Sequence, residues 1–148
     1  IIGYAVGDSL STKFPLEALN MALLRIEGCK DIGSLIHHSD RGVQYASNEY
    51  IKLLQEYGIV PSMTESGNPK DNAVAERVNN TLKNELFKGL SFVSLQEVKE
   101  ALERAIYFYN ELRPHGSIGM LTPKEAAKQK GSLKKNWTSY REKYIKSL

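Results

Sequence analysis

Two acidic residues have the type and the positions to bind a metal ion together. Asp40 closes an apolar stretch that begins with "SLIHH" at 34–38, and an Arg-Gly turn follows it. Glu76 comes after a gap of 35 residues, 41–75. Mg²⁺ prefers oxygen ligands and is usually held by one or two carboxylates together with substrate phosphates. Brought together by the fold, this pair would suit metal-assisted displacement at a phosphodiester.

The segment 71–88 is predicted to be a helix with Glu76 on its polar side. Its apolar residues recur at every fourth position and are expected to face the core: Val74, Val78, Leu82 and Leu86. Glu76 lies about 160° to 200° around the helix from them. Three more polar residues share its face: Asn72, Asn80 and Lys83. From this segment alone an ordinary solvated helix surface is the favoured explanation, but Asp40, at the end of a strand, favours a site at the rim of a sheet.

Strands and helices alternate along the chain and must position these acids. Three apolar stretches are predicted to be strands: 1–8, 34–38 and 59–64. Four longer helices are predicted, one capped by Thr12 and ended by Gly28, one capped by Ser47 and ended by Gly58, and two more at 71–88 and 94–110; a further helix begins at Thr122. This alternation predicts a layered α/β domain with a thin sheet.

Helix starts and apolar faces support these bounds. Two helix starts carry the residues of a capping box: Ser94 with Glu97, and Thr122 with Glu125. Val93 and Val98 have the spacing of a hydrophobic staple. The first two helices are expected to bury Leu16, Leu19, Leu23 and Ile26, and then Tyr50, Ile51, Leu54 and Tyr57.

Composition and charge favour one globular domain with a basic end. The chain has 148 residues, 41% of them hydrophobic and 25% charged, which is the balance of a folded domain. We expect a domain at 1–127 and a basic tail at 128–148. Eight Lys and Arg and two Glu give residues 124–148 a charge of +6, against −3 for the remainder. Such an end suits nucleic acid, although solvated surface lysines explain it equally well.

No apolar run reaches the roughly 18 residues of a membrane span and no leader opens the chain, so we expect a cytoplasmic protein.

Three separated motifs resemble one known family. They are "HSDRGVQYAS" ending at residue 47, "SMTESGNPKDNAVAERVNNTLKNEL" at 62–86, and "FYNELRPHGSIGMLTPKEA" at 108–126. Together with the spacing of 35, they resemble the DD(35)E family of retroviral integrases and, more specifically, the orfB-type transposases of bacterial insertion sequences. The resemblance runs from residue 1 to about residue 127.

The resemblance implies a fold, a reaction and a set of site residues. The fold would be RNase H-like, a mixed sheet flanked by helices, and the reaction metal-dependent DNA cleavage followed by attack of a 3′ hydroxyl on a target phosphodiester. Asp40 and Glu76 would be catalytic and would bind two Mg²⁺ or Mn²⁺ ions. Residues implied on the DNA-binding face are Lys83, Asn72 and Asn80. The partners would be transposon ends and target DNA, at the nucleoid of a bacterium.

Other polar residues near the motifs have more than one explanation. His37 and His38 are adjacent, so we expect them on opposite sides of a strand, one buried and one facing the rim, and prefer structural roles for both. Arg41 suits a phosphate contact or an ion pair with a nearby acid. Arg113 and His115 are candidates for DNA contact, although packing of their turn explains them equally well.

The chain departs from the family pattern at its start. Family members carry a first catalytic Asp on the first strand of the sheet, whereas this chain begins in what resembles the third strand. Asp8 matches no catalytic position. We therefore expect an incomplete site that binds metal weakly and catalyses poorly or not at all. We also expect the chain to form a homo-oligomer, because a second copy would cover the exposed strand edges. The alternatives are a nuclease of the same fold and a non-enzymatic DNA-binding or assembly module of a decayed element.

Overall fold

The chain forms two compact units. The computed structural model describes residues 1–28, 32–65, 69–134, 136 and 144–145, with the backbone alone for Pro69 and Lys70. The first unit is Ile2–Lys99, and the second is Ile1 with Glu100–Leu148. Within the described residues, no helix is long and apolar enough to cross a membrane. The boundary predicted at residue 127 stays a prediction.

The first unit alternates helices with short strands. Its elements in chain order are α1 (Lys13–Ile26), β1 (Ile36–Ser39), α2 (Asn48–Glu56), β2 (Val60–Met63) and α3 (Ala73–Asn80). Single 3₁₀ turns lie at Ile32–Ser34 and Pro69–Asn72, and a π-helical segment follows α3 at Thr81–Leu86. The predicted alternation is confirmed, and the predicted helix 71–88 is divided into three helical types.

The second unit is helical. α4 (Leu95–Tyr107) begins in the first unit and continues here as a π segment, Phe108–Leu112. A 3₁₀ turn at Gly116–Ile118 and the short α5 (Pro123–Ala126) follow. α4 buries four residues along one side: Ala101, Leu102, Ala105 and Ile106.

The sheet is a parallel pair. β1 and β2 lie in register from Ile36 opposite Val60 to Ser39 opposite Met63. The Thr64 N–H donates to the Ser39 carbonyl at 3.0 Å and extends the ladder by one residue. Because the strands are parallel, both carboxyl ends lie at one edge of the sheet. This edge carries the residues that follow β1 and β2.

The strand predicted at 1–8 is wrong, because residues 1–7 have no regular secondary structure. Two glycines of this segment lie against α1 instead. A Cβ built on Gly3 would lie 2.0 Å from the Ala18 carbonyl oxygen, and one on Gly7 would lie 2.0 Å from the ring of Phe14. The backbone at both glycines therefore packs closely against α1.

The core of the first unit lies between α1, α2 and the start of β2. Its buried residues are Leu19, Leu23, Tyr50, Leu54 and Ile59. The apolar faces predicted for both helices are confirmed except at two residues of α2: Tyr57 is 43% exposed, and Ile51 is partly buried but lies outside this core. Tyr57 is the residue that caps α2, so it lies beyond the last turn that faces the core.

Caps agree with the sequence at most positions. The Ser47 hydroxyl accepts from the Tyr50 N–H at 3.3 Å, and the predicted capping box of Thr122 with Glu125 forms. At the start of α4 the Ser94 hydroxyl accepts from the Glu97 N–H at 3.2 Å, while the Glu97 carboxylate accepts from the Val93 N–H at 3.0 Å. Thr12 makes no side-chain cap, because its own backbone is already helical at φ −58° and ψ −22°. The staple is also wrong, since Val93 is 89% exposed. Gly58, with φ +67°, ends α2 as predicted.

Candidate metal and nucleic-acid site

Asp40 lies in the turn that leaves β1 at the carboxyl edge of the sheet. One carboxylate oxygen, Oδ1, accepts the Gly42 N–H at 2.9 Å, which is the side-chain-to-backbone bond of an Asx turn. The side chain is exposed. Burial, and secondly the charge of Asp40, raise the pKa of Tyr45. The hydrogen bond of the Asp40 side chain therefore stabilises the turn, and the Asp40 carboxylate remains exposed to solvent near Tyr45.

Arg41 connects the same turn to the neighbouring strand. Its Nε donates to the Thr64 carbonyl oxygen at 2.8 Å, just after β2 ends. Together with the backbone bond from Thr64 to Ser39, this contact holds the segments after both strands side by side. The Arg41 side chain is thereby fixed at the sheet edge, in the same turn as Asp40.

Glu76 lies in the first turn of α3 with its side chain exposed. Asn72 occupies the N-cap position but makes no side-chain cap bond. Asn80 ends the helix, and its Oδ1 accepts a hydrogen bond from the Asn84 side chain. The polar face predicted for this segment is therefore present, exposed at Glu76 and Asn80 and partly buried at Asn72.

Lys83 lies beyond α3, in the π segment, and is exposed. The Phe87 N–H donates to the Leu82 carbonyl at 2.9 Å, a bond between residues five apart. A π turn is wider than an α turn, so residues after Thr81 advance more slowly around the axis. Lys83 therefore lies in a wider helical turn than the regular helix predicted over 71–88.

The prediction that the apolar residues of this helix face the core is wrong. Val74 is 81% exposed, and α3 has no buried residue. Val78, Leu82 and Leu86 are only partly buried. The reason is that the first unit builds its core between α1 and α2, so α3 contributes little to it.

A histidine joins the sheet edge to the start of α3. His38 Nδ1 lies 2.9 Å from the Ser62 hydroxyl on β2, and its Nε2 lies 3.0 Å from the Asp71 carbonyl oxygen. Asp40 is two residues after His38, and Glu76 is five residues after Asp71. The two acids therefore belong to elements that meet at this contact.

The neighbouring histidine points to the opposite side of β1, as predicted. His37 Nε2 lies 2.9 Å from the hydroxyl of the buried Tyr50. Burial lowers the pKa of His37, so its neutral form is favoured. His37 is partly buried against a core residue, and His38 is the one that faces the candidate site.

The other two predicted DNA-binding residues lie in the second unit. Arg113 caps the π segment at Phe108–Leu112 and is partly buried. The ring of His115 meets the ring of Tyr109 edge-on, with centroids 4.8 Å apart, and its backbone N–H donates to Leu121. These contacts place both residues in a fixed turn of their own unit.

Asp40 and Glu76 match a divalent cation in their chemistry. Both carry carboxylate oxygens, the ligand type that Mg²⁺ and Mn²⁺ prefer. Across the described ranges, no group of three His, Cys, Asp or Glu is arranged to hold a metal ion.

Three contributors to this region had no signal in the sequence. Ser62 contributes its hydroxyl, and Thr64 and Asp71 contribute their backbone carbonyl oxygens. Every residue type has a backbone carbonyl, so the residue types at 64 and 71 do not indicate these contacts. Only the alternation of His37 and His38 along a strand indicated that one imidazole would face this edge.

Known proteins resemble the chain along most of its length. Two family models described as "Integrase core domain" match residues 1–69 and 57–123. The transposase for insertion sequence element IS629 of Shigella sonnei is 34% identical over 128 residues, which are 86% of this chain and 42% of that protein. The chain spans about half, or less, of the length of such curated relatives.

Solved structures resemble the fold. The catalytic core domain of BIV integrase is 27% identical, with a TM-score of 0.54, and the match covers 81% of this chain and 72% of that one. The HTLV-2 integrase catalytic core domain, solved in complex with magnesium, has a TM-score of 0.54 at 19% identity. That match covers 80% of this chain and 70% of the HTLV-2 chain and supports the predicted RNase H-like α/β class.

Proposed function

Because this chain belongs to the integrase core family, we propose that it is part of a transposase catalytic core that cleaves DNA and transfers the cut strand to a target. One observation carries the proposal. Asp40 leaves the carboxyl edge of a parallel sheet, and the helix that bears Glu76 begins beside that edge, bonded to it through His38. Open α/β folds build their sites at this edge.

Asp40 and Glu76 would hold divalent metal, Mg²⁺ or Mn²⁺. The chemistry that two such ions supply is activation of the attacking hydroxyl and stabilisation of the leaving oxygen. The Asx turn keeps one oxygen of Asp40 on the Gly42 N–H and so orients the carboxylate before any ligand arrives. A third acid would come from chain outside residues 1–148, and the chain alone would bind metal weakly and catalyse poorly.

Cationic and amide side chains around the acids would receive the DNA. Lys83 and Arg41 can neutralise phosphates, and phosphate contacts of this kind fix the register of a duplex without reading its sequence. The amides of Asn72 and Asn80 can hydrogen-bond the same backbone. In the second unit, Arg113 and His115 would add contacts to transposon ends or target. A DNA substrate favours the nucleoid of a bacterium as the location.

A homo-oligomer is part of the proposal. The sheet leaves apolar side chains exposed where its strands are paired, with Ile36 at 68% and Val60 at 53%. Parallel sheets are ordinarily covered on both faces, and strand edges are ordinarily paired or protected. A second copy of the chain can supply such cover.

The proposal is tested by metal binding and strand transfer. Mn²⁺ would be titrated into the chain and into Asp40→Asn and Glu76→Gln, with Glu49→Gln, an exposed acid in the first turn of α2, as the matched control. Each site variant should weaken binding and the control should not. With the upstream coding sequence restored, a DNA end should be cut and joined in a metal-dependent reaction that Glu76→Gln abolishes.

The contrary result is equally specific. If the restored protein neither binds Mn²⁺ nor cuts DNA, while wild type and Glu76→Gln still bind DNA alike, the catalytic proposal fails. The chain would then be a DNA-binding or assembly module. Cutting without joining would instead indicate a nuclease.

A further inference from the structure

We propose that His38 is a positioning residue that sets the start of α3 against the sheet and thereby places Glu76 opposite Asp40. The inference rests on the proposed function, since it assigns a role within the same site. Its basis is the pair of contacts from one imidazole, 2.9 Å to the Ser62 hydroxyl and 3.0 Å to the Asp71 carbonyl oxygen.

The partners of His38 determine its tautomer. A carbonyl oxygen only accepts, so Nε2 must carry the proton that is donated to Asp71. In the neutral ring, Nδ1 then offers a lone pair, which accepts the hydroxyl proton of Ser62. Both ring nitrogens are occupied. His38 therefore has no lone pair left for a metal ion, which separates a positioning role from that of a ligand.

This contact is expected to have a large effect on the position of α3, because packing stabilises that position only weakly. None of its residues, Ala73–Asn80, is buried, and the next buried side chain is Thr81, directly after its end. Because most helical stability in proteins comes from the packing of an apolar face, a helix with no buried residue depends more on the contacts at its ends. His38 supplies such a contact at the N-terminal end, within the stretch that leads into the turn bearing Glu76.

Asp40 is attached to the same strand as His38. Ser39 is buried, and its carbonyl accepts the Thr64 N–H, so the backbone between His38 and Asp40 is fixed to β2. The imidazole therefore bridges a rigid strand end and a loosely packed helix. Its loss should move or loosen Glu76 and leave Asp40 in place.

Three substitutions at this position separate the two bonds. His38→Ala removes both. In His38→Gln the terminal amide nitrogen can reach the place of Nε2 and keep the bond to Asp71, whereas the shorter His38→Asn can mimic only Nδ1. Ser62→Ala, which removes the hydroxyl and leaves the Asp71 bond, is the matched control. Each variant would be measured by hydrogen exchange of the backbone amides and by Mn²⁺ titration.

Exchange in α3 is expected to be about three- to tenfold faster in His38→Ala, the range that the loss of one or two exposed hydrogen bonds gives. Amides of α2, which pack in the core, should exchange as in wild type. The dissociation constant for Mn²⁺ should rise by a similar factor. Gln should restore both readouts and Asn should not, and Ser62→Ala should have the smaller effect.

Two results would overturn the inference: α3 exchange unchanged in His38→Ala, or Asn restoring the helix as well as Gln. The proposed function is judged separately, by whether Glu76→Gln weakens Mn²⁺ binding. If that variant binds Mn²⁺ like wild type while α3 still depends on His38, the metal assignment fails and the placement of α3 by His38 stands.

Discussion

The hydroxyl of Tyr50 lies 2.9 Å from Nε2 of His37, and this contact ties α2 to the inner side of β1. The two rings meet edge-on with centroids 5.4 Å apart, and Tyr45 packs edge-on against Tyr50 at the same distance. Burial lowers the pKa of His37 and raises that of Tyr50. Both shifts favour a neutral imidazole that accepts the hydrogen bond from a protonated hydroxyl.

This pair predicts a loss of stability in acid. Because the pKa of His37 is lower in the folded chain than its ordinary 6.5, the unfolded chain binds more protons as the pH falls through that value. The Tm should therefore fall between about pH 7.5 and about pH 5.5, and fall less in His37→Gln, which cannot titrate. Equal pH dependence of the two proteins in thermal melts would contradict the assignment.

The Ser47 cap predicts a difference between two hydroxyl residues. Ser47→Ala should lower the free energy of unfolding by about 1 kcal/mol, because the Tyr50 N–H loses its acceptor. Thr12→Ala is the control and should cost about half of that or less, since Thr12 makes no side-chain cap. Urea unfolding measures both. Equal losses would show that the hydroxyl of Ser47 does not act as a cap.

The core predicts a strong contrast between two leucines. Leu54 is 1% exposed, and Leu54→Ala should cost about 2–5 kcal/mol through lost burial and the cavity that remains. Leu24, on α1, is 72% exposed, so Leu24→Ala should change stability by about 0.5 kcal/mol or less. A mild effect at Leu54 would mean that the packing of α1 on α2 is not the core of this unit.

The DNA-binding role of Lys83 predicts a change in salt dependence. Lys83→Ala should weaken binding to duplex DNA of any sequence and reduce the slope of log K against log salt by about 1, the value for one lost phosphate contact. Lys52→Ala, on the exposed side of α2, is the matched control. Fluorescence anisotropy over a range of salt concentrations measures both. An unchanged slope for Lys83→Ala would remove this residue from the interface.

Local signals in the sequence predicted most elements correctly. Gly58, with its positive φ, ends α2, and Ser94 with Glu97 begins α4, because caps and turns depend on residues a few positions apart. Periodicity placed Leu19 and Leu54 in the core. It failed at Val74, whose exposure depends on whether another element covers α3, and spacing along one helix contains no such information.

The same distinction applies to the candidate site. The sequence by itself determined that Asp40 follows a strand and that Glu76 lies on a polar helix face, because both follow from residue types and local periodicity. Only the tertiary structure decided that His38 turns outward to bond Asp71, that Arg41 bonds the Thr64 carbonyl, and that Lys83 lies in a π segment. The contacts of His38 and Arg41 join residues distant in sequence through backbone carbonyl groups, which every residue has. No pattern of side chains in the sequence therefore predicts them.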